Sequence, residues 1–217
     1  MGLIVRVGYN FTGENMIDFN SFIDAKNVHT AEEYKKFVAD MNHELGISET
    51  QFFKEGDLYV APASTKFHGH FAGGLILHSL LIFKHLNELN EKMGYGYKLQ
   101  DLWLSALYHD ACKVNLYKVS YKNAKDINGN WTKQPYYTTR TDYKGLGHGV
   151  ESMVIYLRDF AGSPLYNEEV RDAIRWHMGF SDLSPMDQFN YDAFLDNSKL
   201  VLLINTADQM AAHWDGV

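Results

Sequence analysis

The sequence predicts a mainly α-helical protein, a helical bundle with a small β-hairpin arm inserted between two of its helices. Three observations support this fold class. Apolar residues recur at three- and four-residue intervals in several segments, which is the spacing of an amphipathic helix. Capping residues and glycines mark the ends of these segments. One segment instead alternates between residue types around an Asn-Gly pair, which is typical of a hairpin.

Length and composition indicate a folded globular chain. The 217 residues are 46% hydrophobic and 14% aromatic, with 4 prolines. One domain of this length can bury roughly 70% of the surface that the unfolded chain exposes. The net charge of -7 argues against a broad basic face for duplex nucleic acid but allows a local basic pocket. Cys112 is the only cysteine, which excludes an intramolecular disulfide and a thiolate zinc cluster within one chain.

The N-terminal residues lack the features of a targeting signal. The apolar run at residues 3–5 is interrupted by Arg6, so it is too short for a secretory signal, and position 6 lacks the Ser or Thr of a myristoylation signal. No stretch reaches about 18 uncharged apolar residues, the length that a membrane-spanning helix needs. We therefore expect a cytoplasmic protein that does not associate with a membrane.

The first predicted helix begins with a capping box. Thr30 is the N-cap, Glu33 is the third helical residue, and the helix continues to about residue 45 before Gly46 ends it. We expect residues 1–58 to form an N-terminal helical extension packed on the core, and residues 59–217 to form the main domain.

Two helices with polar residues in their apolar stripes follow. The first spans residues 74–93 and ends at Gly94, and His78 lies inside its apolar stripe. The second is expected over residues 102–113 with Asp101 as its cap. One face of this second helix would carry Ala106, His109, Asp110 and Lys113. Chemically active groups thus occupy positions where core residues are expected.

Residues 116–139 predict the hairpin arm. Aromatic and β-branched residues alternate along the first half, and the Asn-Gly pair at 128–129 separates the two halves. Such aromatic side chains usually pair across strands, and stacking on a nucleic-acid base is the alternative. Three further helices are expected over residues 148–160, from Asn167 to about His177, and over residues 191–214, where Asp208 lies in an apolar run.

The histidines are the most informative residues for function. Four of the 10 lie in ordinary polar or helical surroundings, namely His29, His43, His85 and His213. The other six lie at apolar or glycine-rich positions, namely His68, His70, His78, His109, His148 and His177. Imidazole is the commonest metal ligand, and an adjacent Asp can bind the same ion or bridge to a second, so His109-Asp110 is a candidate metal anchor.

Each of these features also has a structural interpretation. A histidine on an apolar helix face is usually a hydrogen-bonded core residue, which applies to His78. His148 can lie at a helix start, His177 at a helix end where the dipole favours it, and Lys113 in solvent. For Asp208, a buried carboxylate without a partner is costly, which favours a ligand.

The order of these residues along the chain resembles the HD superfamily of metal-dependent phosphohydrolases. The defining pattern of that family is a His, a later His-Asp pair and a distal Asp, matched by His78, His109, Asp110 and Asp208. Members with two metals add two histidines, matched by His148 and His177. The family's His-Asp-x-x-Lys pattern places Lys113 at the phosphate-contacting position. Residues 67–79, 146–149 and 176–179 are similar to the HD domain of 3′-to-5′ exoribonucleases, and the similarity covers about residues 59–212.

The resemblance implies an HD-domain fold and a metal-dependent phosphohydrolase. The substrate would be a nucleotide or a short single-stranded nucleic acid, cleaved at a phosphoester bond by a metal-activated water. The implied ligands of one or two divalent metal ions are His78, His109, Asp110, His148, His177 and Asp208. This mixture of imidazoles and carboxylates suits Mn, Fe, Co, Ni, Zn or Mg. The acidic net charge favours a small phosphorylated substrate over a polymer.

Four residues are the candidates for catalysis at this site. Asp110 would bridge two ions, and Lys113 would neutralise charge on a bound phosphate. His68 and His70 would contact the phosphate or protonate a leaving oxygen. Two other functions remain open for the same ligand pattern, an HD-fold di-iron oxygenase and a catalytically silent nucleotide-binding module.

Overall fold

A computed structural model of the chain describes residues 19–24, 27–143 and 145–217. This part is mainly helical, with a small two-stranded antiparallel hairpin, as the sequence predicts. The targeting-signal expectation and the first part of the 1–58 extension lie outside the described residues. None of the described helices combines the length and apolar character needed to cross a membrane.

The elements follow one another in a simple order along the chain. The helices are α1 (Phe19–Phe22), α2 (Ala31–Glu44), α3 (Gln51–Lys54), α4 (Gly74–Met93), α5 (Leu99–Tyr108), α6 (His148–Phe160), α7 (Glu168–Trp176), α8 (Pro185–Asn197) and α9 (Lys199–Met210). The strands β1 (Tyr117–Lys125) and β2 (Trp131–Thr139) lie between α5 and α6. Short 3₁₀ turns occupy Gly56–Tyr59, Ala111–Lys113 and Gly179–Asp182, and a π-helical turn occupies Ala211–Asp215.

The helix ends confirm most of the capping signals in the sequence. The Thr30 hydroxyl accepts a hydrogen bond from the Glu33 amide at 3.3 Å, and the Glu33 carboxylate accepts one from the Thr30 amide at 2.8 Å. Asn167 caps α7 by accepting from the Glu169 amide at 2.9 Å. Gly94 ends α4 with φ of 66°, a left-handed conformation that glycine adopts without strain.

Four helices form a closed ring around the core. The contacts run from α4 to α5, from α5 to α7, from α7 to α9, and from α9 back to α4, and α6 lies against α5 and α7. Fully buried side chains such as Leu80, Trp103, Ile174 and Ile204 fill the interior. The N-terminal segment shares this core, because the Phe19 ring packs edge-on against Phe83 with centroids 5.2 Å apart.

The helix predicted over residues 102–113 differs from the structure at both ends. Helix α5 begins at Leu99, so Asp101 lies in its first turn and is not its cap. The helix ends at Tyr108, and Asp110 has φ of -109° and ψ of 22°, outside the helical region. A 3₁₀ turn follows, in which side chains three residues apart eclipse each other. This turn brings Lys113 over Asp110.

The single helix predicted over residues 191–214 is two helices. The chain is extended at Ser198, with φ of -131° and ψ of 113°, and this separates α8 from α9. Helix α8 begins earlier than predicted, at Pro185, because the Ser184 hydroxyl caps it by accepting from the Asp187 amide at 3.2 Å. A Ser-Pro pair is a recognisable signal for the start of a helix. The apolar periodicity of α8 is weak, however, so the sequence pattern does not predict a helix from this point.

The hairpin arm runs in register from the Tyr117–Thr139 pair to the Lys125–Trp131 pair. Residues 126–130 connect the strands, and Gly129 adopts φ of 83°. The Asp126 carboxylate accepts from two amides of this loop, those of Asn128 and Asn130, each at 2.9 Å. Most side chains of both strands are exposed, so the hairpin is an arm.

Candidate metal centre

Six predicted ligands meet at one end of the helical ring. They are His78 near the start of α4, His109 and Asp110 after α5, His148 at the start of α6, His177 after α7, and Asp208 near the end of α9. His78, His109 and His177 have no exposed surface, and Asp110 is 3% exposed. The helix ends that carry them are brought together by the ring.

Asp110 lies at the centre of this cluster. Its Oδ2 is 3.2 Å from His109 Nε2, and its Oδ1 is 3.6 Å from His177 Nε2 and in close contact with His148 Nε2. Two groups of potential ligand atoms result, each with its atoms within 4.8 Å of one another: His78, His109 and Asp110 in the first, and Asp110, His148 and His177 in the second. Asp110 belongs to both groups. Asp208 joins the first through His78, whose Nε2 lies 3.0 Å from Asp208 Oδ1.

Backbone carbonyls fix the protonation of three buried imidazoles. The Nδ1 atoms of His78, His109 and His177 lie 2.5, 2.7 and 2.8 Å from the carbonyl oxygens of Val217, Ala106 and Ile174. A carbonyl oxygen only accepts, so each Nδ1 carries the proton. In the neutral ring, Nε2 then presents a lone pair to the cluster.

The unpaired nitrogen atoms fit a metal ion. Nε2 of His109 and of His177 is buried and has no hydrogen-bond partner among the described residues. Burying a polar atom without a hydrogen-bond partner costs free energy of folding. A lone pair that faces a carboxylate oxygen makes no favourable interaction with it, because both atoms are acceptors. A cation held between them satisfies both, and histidine ligands are commonly oriented by such a bond from the other ring nitrogen. These buried His and Asp groups can therefore hold a metal ion.

A buried lysine adds positive charge to the cluster. Lys113 Nζ lies 2.6 Å from Asp110 Oδ2. Burial opposes ionisation of Asp110, but the Lys113 ammonium and the polar side chains of His109 and His148 together outweigh burial and hold the pKa of Asp110 well below the usual range. Burial by itself lowers the pKa of Lys113, but Asp110, Tyr117 and Asp208 together outweigh burial, and the pKa of Lys113 is raised. Both groups are therefore charged at neutral pH.

The structure separates the two histidines of the loop before α4. The His68 ring lies 4.9 Å from the His78 ring, beside the cluster, and burial lowers the pKa of His68 to about 4. His70 is exposed, its Nδ1 donates to the Phe67 carbonyl at 2.8 Å, and it lines a groove beneath the hairpin. Only His68 of this pair lies next to the predicted ligands.

Several supporting contacts were not predicted. The Val217 carbonyl that holds His78 belongs to the segment after α9, and this segment is fixed where His85 Nε2 donates to Asp215 at 2.6 Å. His85 is buried, although its sequence surroundings suggested an ordinary helical position. Asn205 donates to the His177 carbonyl at 2.7 Å. The sequence carries no signal for a backbone carbonyl partner. The spacing of His78 and His85 does indicate that both histidines lie on α4.

Gly149 allows α6 to approach α7 closely. A Cβ atom at this position would collide with the carbonyl oxygen of Arg175. His148 is adjacent to Gly149, and His177 lies two residues after Arg175, so this contact sets the distance between the two histidines.

Cys112 is a buried neighbour of the cluster. Burial and the nearby Asp110 raise the pKa of its thiol to about 12. A protonated thiol is a poor nucleophile, so burial does not favour a catalytic role for Cys112.

Comparisons with protein-family models, with curated proteins and with solved structures found no match to this chain.

Proposed function

We propose that this protein is a metal-dependent phosphohydrolase of the HD type that cleaves a phosphoester bond in a nucleotide or a short single-stranded nucleic acid. One observation carries the proposal. Two groups of buried ligand atoms share Asp110, and two imidazole nitrogen atoms that face it are unpaired. A helical bundle that gathers the His, His-Asp and Asp motifs at one end agrees with the HD fold that the sequence resemblance implies.

The residues present suit a site for one or two ions. Divalent ions held by such ligands lower the pKa of a water molecule and polarise a phosphoryl oxygen, which is the chemistry required for phosphoester hydrolysis. Asp110 directs one oxygen to His109 and the other to His148 and His177, so its carboxylate joins the two ligand groups. Asp208 and His78 complete the first group.

Lys113 and His68 provide the polar groups for the substrate. The Lys113 ammonium lies at the cluster, where it can stabilise the negative charge that develops on a phosphoryl oxygen. His68 is half-buried beside His78 and offers a neutral imidazole for a hydrogen bond to the phosphate or the leaving oxygen. Neither role requires a covalent intermediate on the protein.

The decisive experiment combines metal analysis with a substrate screen. The metal content of the purified protein is measured by elemental analysis. Hydrolysis of phosphomonoesters, cyclic and linear phosphodiesters, and nucleoside triphosphates is then measured with the metal found. We expect metal-dependent release of phosphate or nucleotide.

The variants His109→Ala and Asp110→Ala should abolish this activity. Each removes a ligand from a scaffold built by the helices, so we expect a loss of about 100-fold or more, together with the loss of metal and a retained helical circular-dichroism spectrum. His43→Ala is the matched control, because His43 is exposed on α2. Full turnover with normal metal content in either site variant would contradict the proposed site.

The alternative functions give different results in the same experiments. Iron in the purified protein with an oxygen-dependent colour change would favour an oxygenase. Tight nucleotide binding without turnover under any metal would favour a silent binding module.

A further inference from the structure

A groove separates the hairpin arm from the loop that precedes α4. It has a volume of about 480 Å³. The loop contributes Lys66 and His70, and the hairpin contributes Lys122, Gln134, Tyr136 and Tyr137. The predicted metal ligands do not line it, so it is a second site next to the metal centre.

The charge around this groove is opposite to that of the whole chain. The chain carries a net charge of -7, whereas residues 117–139 contain Lys118, Lys122, Lys125 and Lys133 against the single acidic residue Asp126. Lys66 and Lys122 face the groove, and no carboxylate lines it among the described residues. A groove of this kind is complementary to an anion.

The hairpin also presents the aromatic ring of Tyr136 to this groove. Tyr136 is 40% exposed, and the Lys122 ammonium lies 5.7 Å from the centroid of its ring. No further strand or helix of the described chain covers the arm. Packing within the chain therefore does not explain why an aromatic residue stands at this exposed position. Alternating cations and exposed aromatic rings bind single-stranded nucleic acid, where the cations meet phosphates and the rings stack on bases.

The loop connects this groove directly to the metal centre. His70 lines the groove, and two residues before it the His68 ring lies 4.9 Å from His78. The loop is held in place where the Ala63 amide donates to the Gly69 carbonyl at 2.9 Å. Gly69 adopts φ of 54°, and a Cβ there would lie 2.7 Å from the Ala63 side chain. The groove and the metal centre are therefore joined by a fixed loop that carries His70 at the groove and His68 at the metal centre.

We propose that this groove binds the nucleotides next to the scissile bond of a short single-stranded oligonucleotide. Lys66 and Lys122 contact its phosphates, and Tyr136 stacks on one of its bases. The inference rests on the proposed function for the position of the cleaved bond, and it selects an oligonucleotide over a mononucleotide as the substrate class. The groove itself makes a prediction about binding that does not depend on hydrolysis.

Binding is tested on the full chain with EDTA present, so that no metal-dependent hydrolysis occurs. The probe is a fluorescein-labelled oligouridylate of about eight nucleotides, within the site size of small single-strand binders. Fluorescence anisotropy should show that the Lys66→Ala, Lys122→Ala double variant and the Tyr136→Ala variant raise Kd about tenfold each. Two phosphate contacts also predict that log Kd rises with log salt with a slope of about 1.4, which the double variant should abolish.

Lys125→Ala and Lys133→Ala are the matched controls, because both lysines lie on the hairpin outside the groove. Combined in one double variant, these substitutions remove the same two charges as the groove variant and should leave Kd within about twofold of the wild-type value. Unchanged binding in the groove variants would overturn the inference. Equal affinity for an abasic oligonucleotide or for polyglutamate would also overturn it, because the site would then recognise only negative charge.

The failure of the groove and the failure of the proposed function are distinguishable. With metal restored, the groove variants should lower the ratio of kcat/KM for the oligouridylate to that for bis(4-nitrophenyl) phosphate by about tenfold. If the wild type cleaves the small diester but the variants keep this ratio and the Kd, the groove is wrong and the function stands. If the variants lose binding but the wild type cleaves no phosphoester with any metal, the function is wrong and the groove stands.

Discussion

The proton on each buried imidazole determines what the cluster can bind. His78, His109 and His177 all donate from Nδ1 to a backbone carbonyl, so each Nε2 atom carries a lone pair that can bind a metal ion. The polar residues within apolar stripes, among them the His-Asp pair, mark candidate ligands in the sequence, and the resemblance to the HD superfamily adds His148 and His177. The sequence does not indicate the carbonyl partners, because every residue type offers a carbonyl and only the folded backbone selects one.

The two histidines of the second ligand group should control the number of metal ions. We expect His148→Ala and His177→Ala to lose one ion and most of the activity, because the first group keeps His78, His109, Asp110 and Asp208. Elemental analysis of the purified variants gives the stoichiometry, with exposed His43→Ala as control. A wild-type protein that saturates with one ion, together with normal activity in both variants, would exclude a mechanism with two metals.

Lys113 should affect turnover without affecting metal content. The Lys113→Ala variant removes a cation that lies 2.6 Å from Asp110 Oδ2, and we expect kcat to fall roughly 100-fold. Lys113→Arg should recover little, because the larger planar guanidinium cannot occupy the position of a compact ammonium. Steady-state kinetics on the best substrate of the screen measures both effects. Unchanged kcat and KM in Lys113→Ala would place phosphate recognition elsewhere in the site.

At the level of the helices, capping and periodicity predict where elements exist better than where they end. The capping box of α2 and the glycine after α4 set those ends by local hydrogen bonds, so the sequence predicts them. After α5 ends, Asp110 lies outside the helical region and contacts His148 and His177, which are distant in sequence. The break at Ser198 has no glycine or proline to mark it. Neither feature is available from local sequence alone.

The contact between α6 and α7 gives a prediction about helix packing. Gly149→Ala should destabilise the fold by about 1–3 kcal/mol, because the added methyl group collides with the Arg175 backbone. The collision also separates His148 from His177, so the second ligand group should lose affinity for metal while the first retains it. Urea unfolding and metal stoichiometry measure the two effects.

Gly162→Ala is the matched control for this variant. A Cβ at Gly162 meets no atom within 4 Å, so the same substitution should change stability by less than about 0.5 kcal/mol. Equal stability of the two variants would show that Gly149 does not set the distance between α6 and α7.

For the molecule as a whole, the ligand cluster joins helices that are distant in sequence. Metal binding should therefore stabilise the entire fold, because the unfolded chain does not hold these side chains together. At a metal concentration about 100 times Kd the gain is about 2.7 kcal/mol. For a chain of this size, such a gain should raise Tm by about 5–10 °C.

Thermal unfolding with and without EDTA measures this effect. The variant Asp110→Asn serves as the comparison, because it preserves the volume of the side chain and removes the charge that both ligand groups share. Its Tm should not respond to metal. A wild-type Tm that is the same with metal and with EDTA would contradict a metal site built by the folded helices.

The separation of the ligands along the chain has a consequence for biosynthesis. His78 and Asp208 are 130 residues apart. At about 5–20 residues per second, a ribosome needs on the order of ten seconds to add the segment between them. The second ligand group has all its members once His177 has emerged, whereas the first awaits Asp208 and the Val217 carbonyl that orients His78. Because α9 also closes the helical ring, we expect the chain to bind its ions only after this last helix has been made. Metal supply at the end of translation would then influence how many chains reach the fully loaded state.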